Sequence, residues 1–216
     1  MEQARQRAHE REHLRRFIFT DAVQELEQEY SVVDAIVRKA LTDIGNKPAE
    51  NVLLREEHFE YDARARLVYY TSEGPLSPVD PYGVVIESQD FYLDDLDNIE
   101  EVHTWHADGR IDVIYAFDNP DDPAQLTGLE VTKLRGEKYV NAAGRWELSE
   151  GAVETLARQD IVLEYDPDGN LVRDEAGRIL GYDPLGRLVS VELPEGGEVG
   201  SYGYDPLDRL ADQSTL

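Results

Sequence analysis

A short peptide recurs near the C-terminal end of the chain, and that recurrence limits the possible architectures more than any other feature. Tyr165-Asp166-Pro167-Asp168-Gly169-Asn170-Leu171 is followed by Tyr182-Asp183-Pro184-Leu185-Gly186-Arg187-Leu188, and then by Tyr204-Asp205-Pro206-Leu207-Asp208-Arg209-Leu210. The copies begin 17 and then 22 residues apart. A short internal period means one supersecondary unit stacked on itself. Such stacks build extended surfaces more often than single catalytic cavities.

Each copy reads as strand, tight turn, strand. A type I turn favours Asp at its first position, Pro at its second and Gly at its fourth. Asp166-Pro167-Asp168-Gly169 and Asp183-Pro184-Leu185-Gly186 meet all three preferences. Asp caps the turn through its side chain, Pro pre-sets φ, and Gly takes the left-handed residue of a bulged hairpin loop. The third copy has Asp208 at the left-handed position, which Asp tolerates, so it reads as a weakened copy. The flanks alternate with period two, the mark of half-buried strands. Val189, Val191 and Leu193 share one face, with Ser190 and Glu192 on the other; Tyr202 pairs with Tyr204, and Ile161 and Leu163 with Tyr165. Glu175-Ala176-Gly177-Arg178 reads as a connecting turn between the first two copies.

These residues resemble the YD repeats of RHS-repeat proteins, relatives of the C components of bacterial Tc toxins and of teneurin shells. Looser matches precede them: Tyr61-Asp62-Ala63-Arg64-Ala65-Arg66-Leu67, with Ala65 in place of Gly; 92–99, with an inserted residue or shifted register; and Phe117-Asp118-Asn119-Pro120. The Pro-rich run 74–83 is also similar to that family. The resemblance covers most of residues 50–210. It implies a mainly β fold, an antiparallel β-hairpin ribbon forming part of an RHS-type shell, with a possible N-terminal helix. The repeat-turn residues Tyr165, Asp166, Pro167, Gly169, Tyr182, Asp183, Pro184, Gly186, Tyr204, Asp205, Pro206 and Asp208 are expected to be structural. The family's core segment and variable toxic domain have no counterpart in this sequence, so no cleavage residue is carried over.

Composition narrows the remaining functions. There are 46 acidic against 21 basic residues, a net charge of −25. Nucleic-acid binding needs clustered Lys and Arg, and anionic membranes repel such a chain. The charge suits either a basic partner or simple solubility of an exposed sheet. The sequence has no cysteine, which excludes disulfides, thiolate metal sites and cysteine nucleophiles. No apolar run is long enough for a membrane-spanning helix, and no Sec signal is visible, so export is expected through a larger machine, with the protein cytoplasmic beforehand.

Along the chain, residues 1–48 read as an N-terminal arm or helix and first strand, and 49–216 as the repeat region, with an insertion at about 136–158. Residues 1–16 favour helix but lack an apolar face. Residues 17–20 read as a strand; 21–42 fit a helix, through Val23, Leu26, Tyr30, Val33 and Val37, as well as strands. A hairpin is expected over 52–61 and 67–70, a loop at 74–83 and a strand at 84–93. A second hairpin is expected about Ala107-Asp108-Gly109-Arg110, then a turn at 118–123 and a strand at 126–134. A short helix is expected at 148–158, with Ser149 near its N-cap.

Motifs that carry chemistry are few. His9-Glu10-Arg11-Glu12-His13 is a literal H-E-x-x-H, but zinc needs a third ligand and shelter, and these neighbours are charged. His103 and Trp105 share a strand face and His106 takes the other, so the histidines do not converge. Trp105 and Trp146 read as packing residues. Asp166-x-Asp168-x-Asn170 starts like a calcium loop, but Leu171 and Gly177 occupy the positions that need Gly and Glu. No catalytic, metal or cofactor residue is assigned. The expected function is a non-catalytic structural fragment of an RHS-repeat toxin shell that encapsulates a toxic polypeptide. Its partners would be the rest of the RHS polypeptide or its C-terminal cargo, with self-association through open strand edges. The alternatives are a YD-repeat module binding carbohydrate or protein surfaces and, remotely, a zinc hydrolase through His9, Glu10 and His13.

Overall fold

The computed structural model describes residues 15–18, 24–31, 33–44, 51–81 and 83–215, and every regular element among them is a β-strand. In chain order these are β1 (Arg15–Ile18), β2 (Gln24–Tyr30), β3 (Ile36–Asp43), β4 (Val52–Tyr61), β5 (Leu67–Glu73), β6 (Ser88–Leu93), β7 (Ile99–His106), β8 (Gly109–Ala116) and β9 (Gly128–Arg135). Then come β10 (Lys138–Val140), β11 (Trp146–Leu148), β12 (Glu154–Val162), β13 (Glu164–Tyr165), β14 (Leu171–Arg173), β15 (Ile179–Tyr182), β16 (Leu188–Glu192), β17 (Glu198–Tyr204) and β18 (Leu210–Thr215). They form a ten-stranded sheet ordered β1 to β9 and then β12, a two-stranded sheet of β10 and β11, and a six-stranded sheet of β13 to β18 in chain order. Neighbours pair antiparallel, as β2–β3, β4–β5, β15–β16 and β17–β18 illustrate. The mainly β, hairpin-by-hairpin fold read from the repeats is therefore the observed one.

The chain divides into two compact units, Met1–Val113 with Thr132–Ala157, and Ile114–Val131 with Arg158–Leu216. The first has a small apolar core of Ala40, Tyr69, Tyr70, Ile86, Val102, Trp105 and Ile111, all buried. In the second, Val131 is buried, but no apolar side chain of β13 to β18 is. Strands β14 to β16 are half-buried for most of their length, and β18 is exposed throughout. This sheet therefore depends more on its ladder and its loops than on a packed interior.

Two helical expectations give way to strands. Residues 24–43 form the β2–β3 hairpin, with Leu26 opposite Leu41. The helical spacing there is accidental, because the chain reverses at 31–35 and carries Val33 to the exposed loop tip. The Ser31 hydroxyl accepts the N–H groups of Val33 and Ala35, offering the backbone an alternative to a helical turn. The expected helix at 148–158 is absent as well. Ser149 does not cap; its N–H donates to the Glu137 carbonyl at 2.8 Å and closes the β10–β11 hairpin. Gly151 then takes φ 80°, which ends any helical path before β12 begins. The arm at 1–14, including His9, Glu10 and His13, lies outside the described residues.

Ala65 holds φ 60°, a left-handed conformation that strains a residue with a Cβ, and its side chain is exposed. Ala65→Gly should therefore stabilise the protein by about 1 kcal/mol, since relief of strain outweighs the extra freedom of Gly in the unfolded chain. Chemical denaturation checks this, and an unchanged or lower midpoint would refute it.

Candidate functional site: the Tyr-Asp loop edge

One loop recurs through both units. At Asp183, the Gly186 N–H donates to the Asp183 carbonyl at 2.9 Å, and the Asp183 N–H donates to the Arg187 carbonyl at 3.0 Å. The carboxylate closes the loop from inside, Oδ1 accepting the N–H groups of Leu185 and Arg187 at 2.9 and 3.1 Å. Gly186 takes φ 73°, and the register slips by one residue so that Tyr182 faces Leu188. This is the turn with a left-handed residue and bulge that the peptide chemistry demands.

The copies at Asp166 and Asp205 repeat it, with Gly169 at φ 83° and Asp208 at φ 60°. Pro167, Pro184 and Pro206 stand at the second turn position, where no N–H is needed. The same loop forms at Asp62 and at Asp94. At Asp94 the bulged residue is Leu93, opposite Ile99, which resolves the irregular 92–99 copy by leaving Tyr92 one residue outside the frame. It also forms where the sequence gives weaker signs: at Asp174, at Asn141 with a neutral cap, at Ser31 with a hydroxyl cap, and at Leu193 with none. Phe117-Asp118-Asn119-Pro120 is not such a copy. Asn119 begins a separate turn, and the Asp118 N–H donates to the Thr127 hydroxyl.

Three of the tyrosines that precede a loop Asp tie their hairpin to the one before it. Tyr182 Oη donates to the Leu171 carbonyl at 3.0 Å and Tyr204 Oη to the Leu188 carbonyl at 2.9 Å. Tyr61 Oη donates to the Ile36 carbonyl at 2.8 Å. In all three the acceptor is the first strand residue after the preceding loop. Tyr165 Oη reaches the Leu126 carbonyl instead, in the connection ahead of β9. Burial pushes the Tyr61, Tyr165 and Tyr182 phenols above their usual range.

A second tie runs the other way. Arg187 binds its own Asp183 and also Asp208 of the next loop, at 2.6 Å. Arg66 does the same with Asp62 at 2.7 Å and with Asp97 of the next loop at 2.9 Å, while also donating to the Asp94 carbonyl. Asp97 and Asp208 both occupy the left-handed position, at φ 71° and 60°. Asp208 is thus more than a weakened glycine, because it receives the arginine of the loop before it. Where the preceding loop carries Asn170 instead of arginine, the next left-handed residue is Gly186.

The other candidates lie apart from this edge. Trp105 is 1% exposed, and its indole N–H donates to Asp90 at 3.0 Å beneath the Arg110 guanidinium. Trp146 is half-buried under the Lys138 ammonium. His103 sits 2.6 Å from Glu101 and 4.0 Å from Asp112. Burial pushes the Asp112 carboxyl upward despite its contact with Arg110, and burial lowers His106, which points elsewhere. Among the described residues no group of His, Cys, Asp or Glu is arranged to hold a metal. Asp166, the start of the calcium-like run, spends both carboxylate oxygens on its own loop and on Asn170.

Comparison with known proteins agrees with this geometry. Residues 182–215 match the RHS repeat family model. No curated protein matches the chain significantly. Among solved structures, the Tc holotoxin pore of Photorhabdus luminescens aligns with a TM-score of 0.50 at 13% identity, over 87% of this chain and 10% of that one. The TcdB2-TccC3 protein without its hypervariable C-terminal region aligns with a TM-score of 0.42 at 12% identity, over 87% and 12% of the two chains. The chain spans about a tenth of the length of these neighbours. Residues 182–215 thus carry an RHS repeat, and the antiparallel fold of the chain is similar to one found within the Tc holotoxin pore.

Tyr204→Phe should cost about 1 kcal/mol, because the half-buried Leu188 carbonyl loses its donor while the ring contacts stay. Urea unfolding would measure it, and a wild-type midpoint would show the tie to be idle. The loop caps also set the acid response. Asp62 is held below the usual carboxylate range first by the Arg66 backbone N–H, Asp166 by the Asn170 side chain, Asp183 by the Arg187 side chain and Asp205 by the Arg209 side chain. A lowered folded value means stabilisation that is complete above the unfolded Asp value of about 3.9 and lost as pH falls through the folded one. The melting temperature should therefore drop below about pH 4. Asp183→Asn, a neutral cap like Asn141, should be less stable at neutral pH but less acid-sensitive, so parallel melting curves for the two proteins would contradict the assignment.

Proposed function

We propose that the chain is a structural, non-catalytic part of an RHS-repeat toxin shell, whose task is to help enclose a toxic polypeptide until delivery. The observation that carries this reading is the repeated loop with its two ties. Within the first unit Tyr61 and Arg66, and within the second Tyr182, Tyr204 and Arg187, tie one loop to the next, in antiparallel sheets with little apolar burial. Stacked hairpins of this kind suit a container better than a catalytic cavity. The likeness of fold to part of the Tc holotoxin supports it.

On this reading the partners are the remainder of an RHS polypeptide and its cargo, exported together from a bacterium through a larger machine. The net charge of −25 favours a basic cargo. A role as a surface-binding module finds less support, since Trp105 is buried and Trp146 is covered by Lys138 rather than offered to a ligand.

Native mass spectrometry of the chain mixed with the remainder of its parent polypeptide, followed by limited proteolysis, tests the proposal. A stable complex in which the cargo segment resists protease is the expected result. A folded chain that stays monomeric beside both, with the cargo cleaved at its free rate, would overturn it.

A further inference from the structure

We propose that Glu60, Tyr69 and Asp90 form a binding site for an arginine side chain, that Arg145 of the β10–β11 hairpin is its exchangeable occupant, and that the site takes an arginine of another polypeptide when the hairpin lifts. The three residues stand in one row across β4, β5 and β6, with Glu60 opposite Tyr69 and Tyr69 opposite Asp90. Residues directly opposite on neighbouring strands share a face, so the row presents a carboxylate, a phenol ring and a second carboxylate side by side. The strand ladder holds this row without help from the hairpin. Asp90 is further fixed by the Trp105 indole N–H, which donates to it at 3.0 Å.

The chain itself shows which chemistry the row accepts. The guanidinium carbon of Arg145 lies 3.3 Å from the centre of the Tyr69 ring. Its two terminal nitrogens donate to the two oxygens of Glu60 at 3.1 and 2.7 Å, and its Nε lies 3.7 Å from Asp90. A planar fork stacked on a ring and paired twice with one carboxylate is a geometry that arginine fills and lysine does not. The net charge of −25 draws basic polypeptides towards the chain. The inference concerns this face of the first unit and stands whether or not the chain helps to enclose a cargo.

The occupant is delivered by an element that stands outside the ladder. Arg66 and Arg187 bind carboxylates in the loops of their own sheets, whereas β10 and β11 form a separate two-stranded sheet. That hairpin closes on itself through the Ser149 N–H on the Glu137 carbonyl and the Asn141 cap, so it keeps its fold when it lifts. Its second anchor is also polar, the Lys138 ammonium donating to Glu87 and to the His106 carbonyl. The Glu60 side chain is 56% exposed, so water competes for the Arg145 pair. The face beneath retains an unsatisfied group as well. Ser88, two residues before Asp90 on the same strand face, is fully buried and its hydroxyl has no hydrogen-bond partner. A buried hydroxyl in that state favours openings that let water or a ligand reach it.

The test uses the full chain, its Arg145→Ala variant, and capped Gly-Arg-Gly and Gly-Lys-Gly peptides, with binding followed by NMR shifts of the Glu60, Tyr69 and Asp90 amides. In the variant the amides of β10 and β11 should exchange at least about tenfold faster, while those of β4 to β6 keep their original rates. The variant should bind the arginine peptide at least about tenfold more tightly than the lysine peptide, and Glu60→Gln added to it should remove that preference. The original chain should bind the arginine peptide at least about tenfold more weakly than the variant, because its own arginine must leave first. Arg145→Gln, which keeps a long polar side chain, is run alongside and should behave as the alanine variant does. Absence of binding to both variants, equal binding of the two peptides, a preference that survives Glu60→Gln, or equal affinity with and without Arg145 would overturn the site. Loosening of β4 to β6 together with the hairpin would overturn the exchange, because Arg145 would then be part of the fold's support.

Discussion

The rest of the structure depends on an aspartate carboxylate folded back into its own loop. By accepting the N–H groups two and four residues ahead, it holds the chain in a turn that ends in a left-handed residue, and this offsets the strands by one position. The bulge decides which tyrosine faces which leucine. With that register set, the tyrosine hydroxyl arrives at the carbonyl of the preceding hairpin and the arginine at the next left-handed carboxylate. A hairpin alone is marginal in water. Here the hairpins at Asp62, Asp94, Asp183 and Asp205 are tied to a neighbour by contacts that no isolated hairpin can form.

This explains how a sheet with so little apolar burial can persist. The β13 to β18 sheet hides no apolar side chain completely, so area burial cannot be its main support. Satisfied backbone groups, capped turns and tied loops take that role, and the turns and ties sit at the rims of the sheet. The first unit differs, because Trp105, Tyr69 and Ile111 bury against its strands and the β10–β11 hairpin adds Arg145 over the Tyr69 ring at 3.3 Å. Neutral and acidic caps serve the same geometry, as Asn141 and Asp183 show, but only the acidic ones make the loop sensitive to acid.

Strong copies of the loop were legible because Asp, Pro and Gly each leave a separate mark on one turn. The loops at Ser31 and Asn141 were not, since a hydroxyl or amide cap with ordinary neighbours is too common to stand out. The region 21–42 misled for a related reason. Its apolar residues fall at helical spacing across a reversal that the local sequence marks only weakly. Ser149 likewise looks like the start of a helix until Glu137 takes its N–H. The signal for the second tie was present in the chain, as arginine in one loop followed by Asp in place of Gly in the next. It acquires meaning only when the loops are known to be neighbours.

The sequence by itself determined the unit: a Tyr-Asp hairpin with a left-handed fourth residue, repeated, in an antiparallel all-β fold. Those are local matters, decided within a few bonds by φ preferences and by side chains that reach their own backbone. Only the tertiary structure decided which carbonyl each tyrosine meets, why Asp208 is not Gly and that Trp105 is buried. Those depend on residues far apart in sequence brought within hydrogen-bonding distance by strand register, and register is fixed by the sheet as a whole.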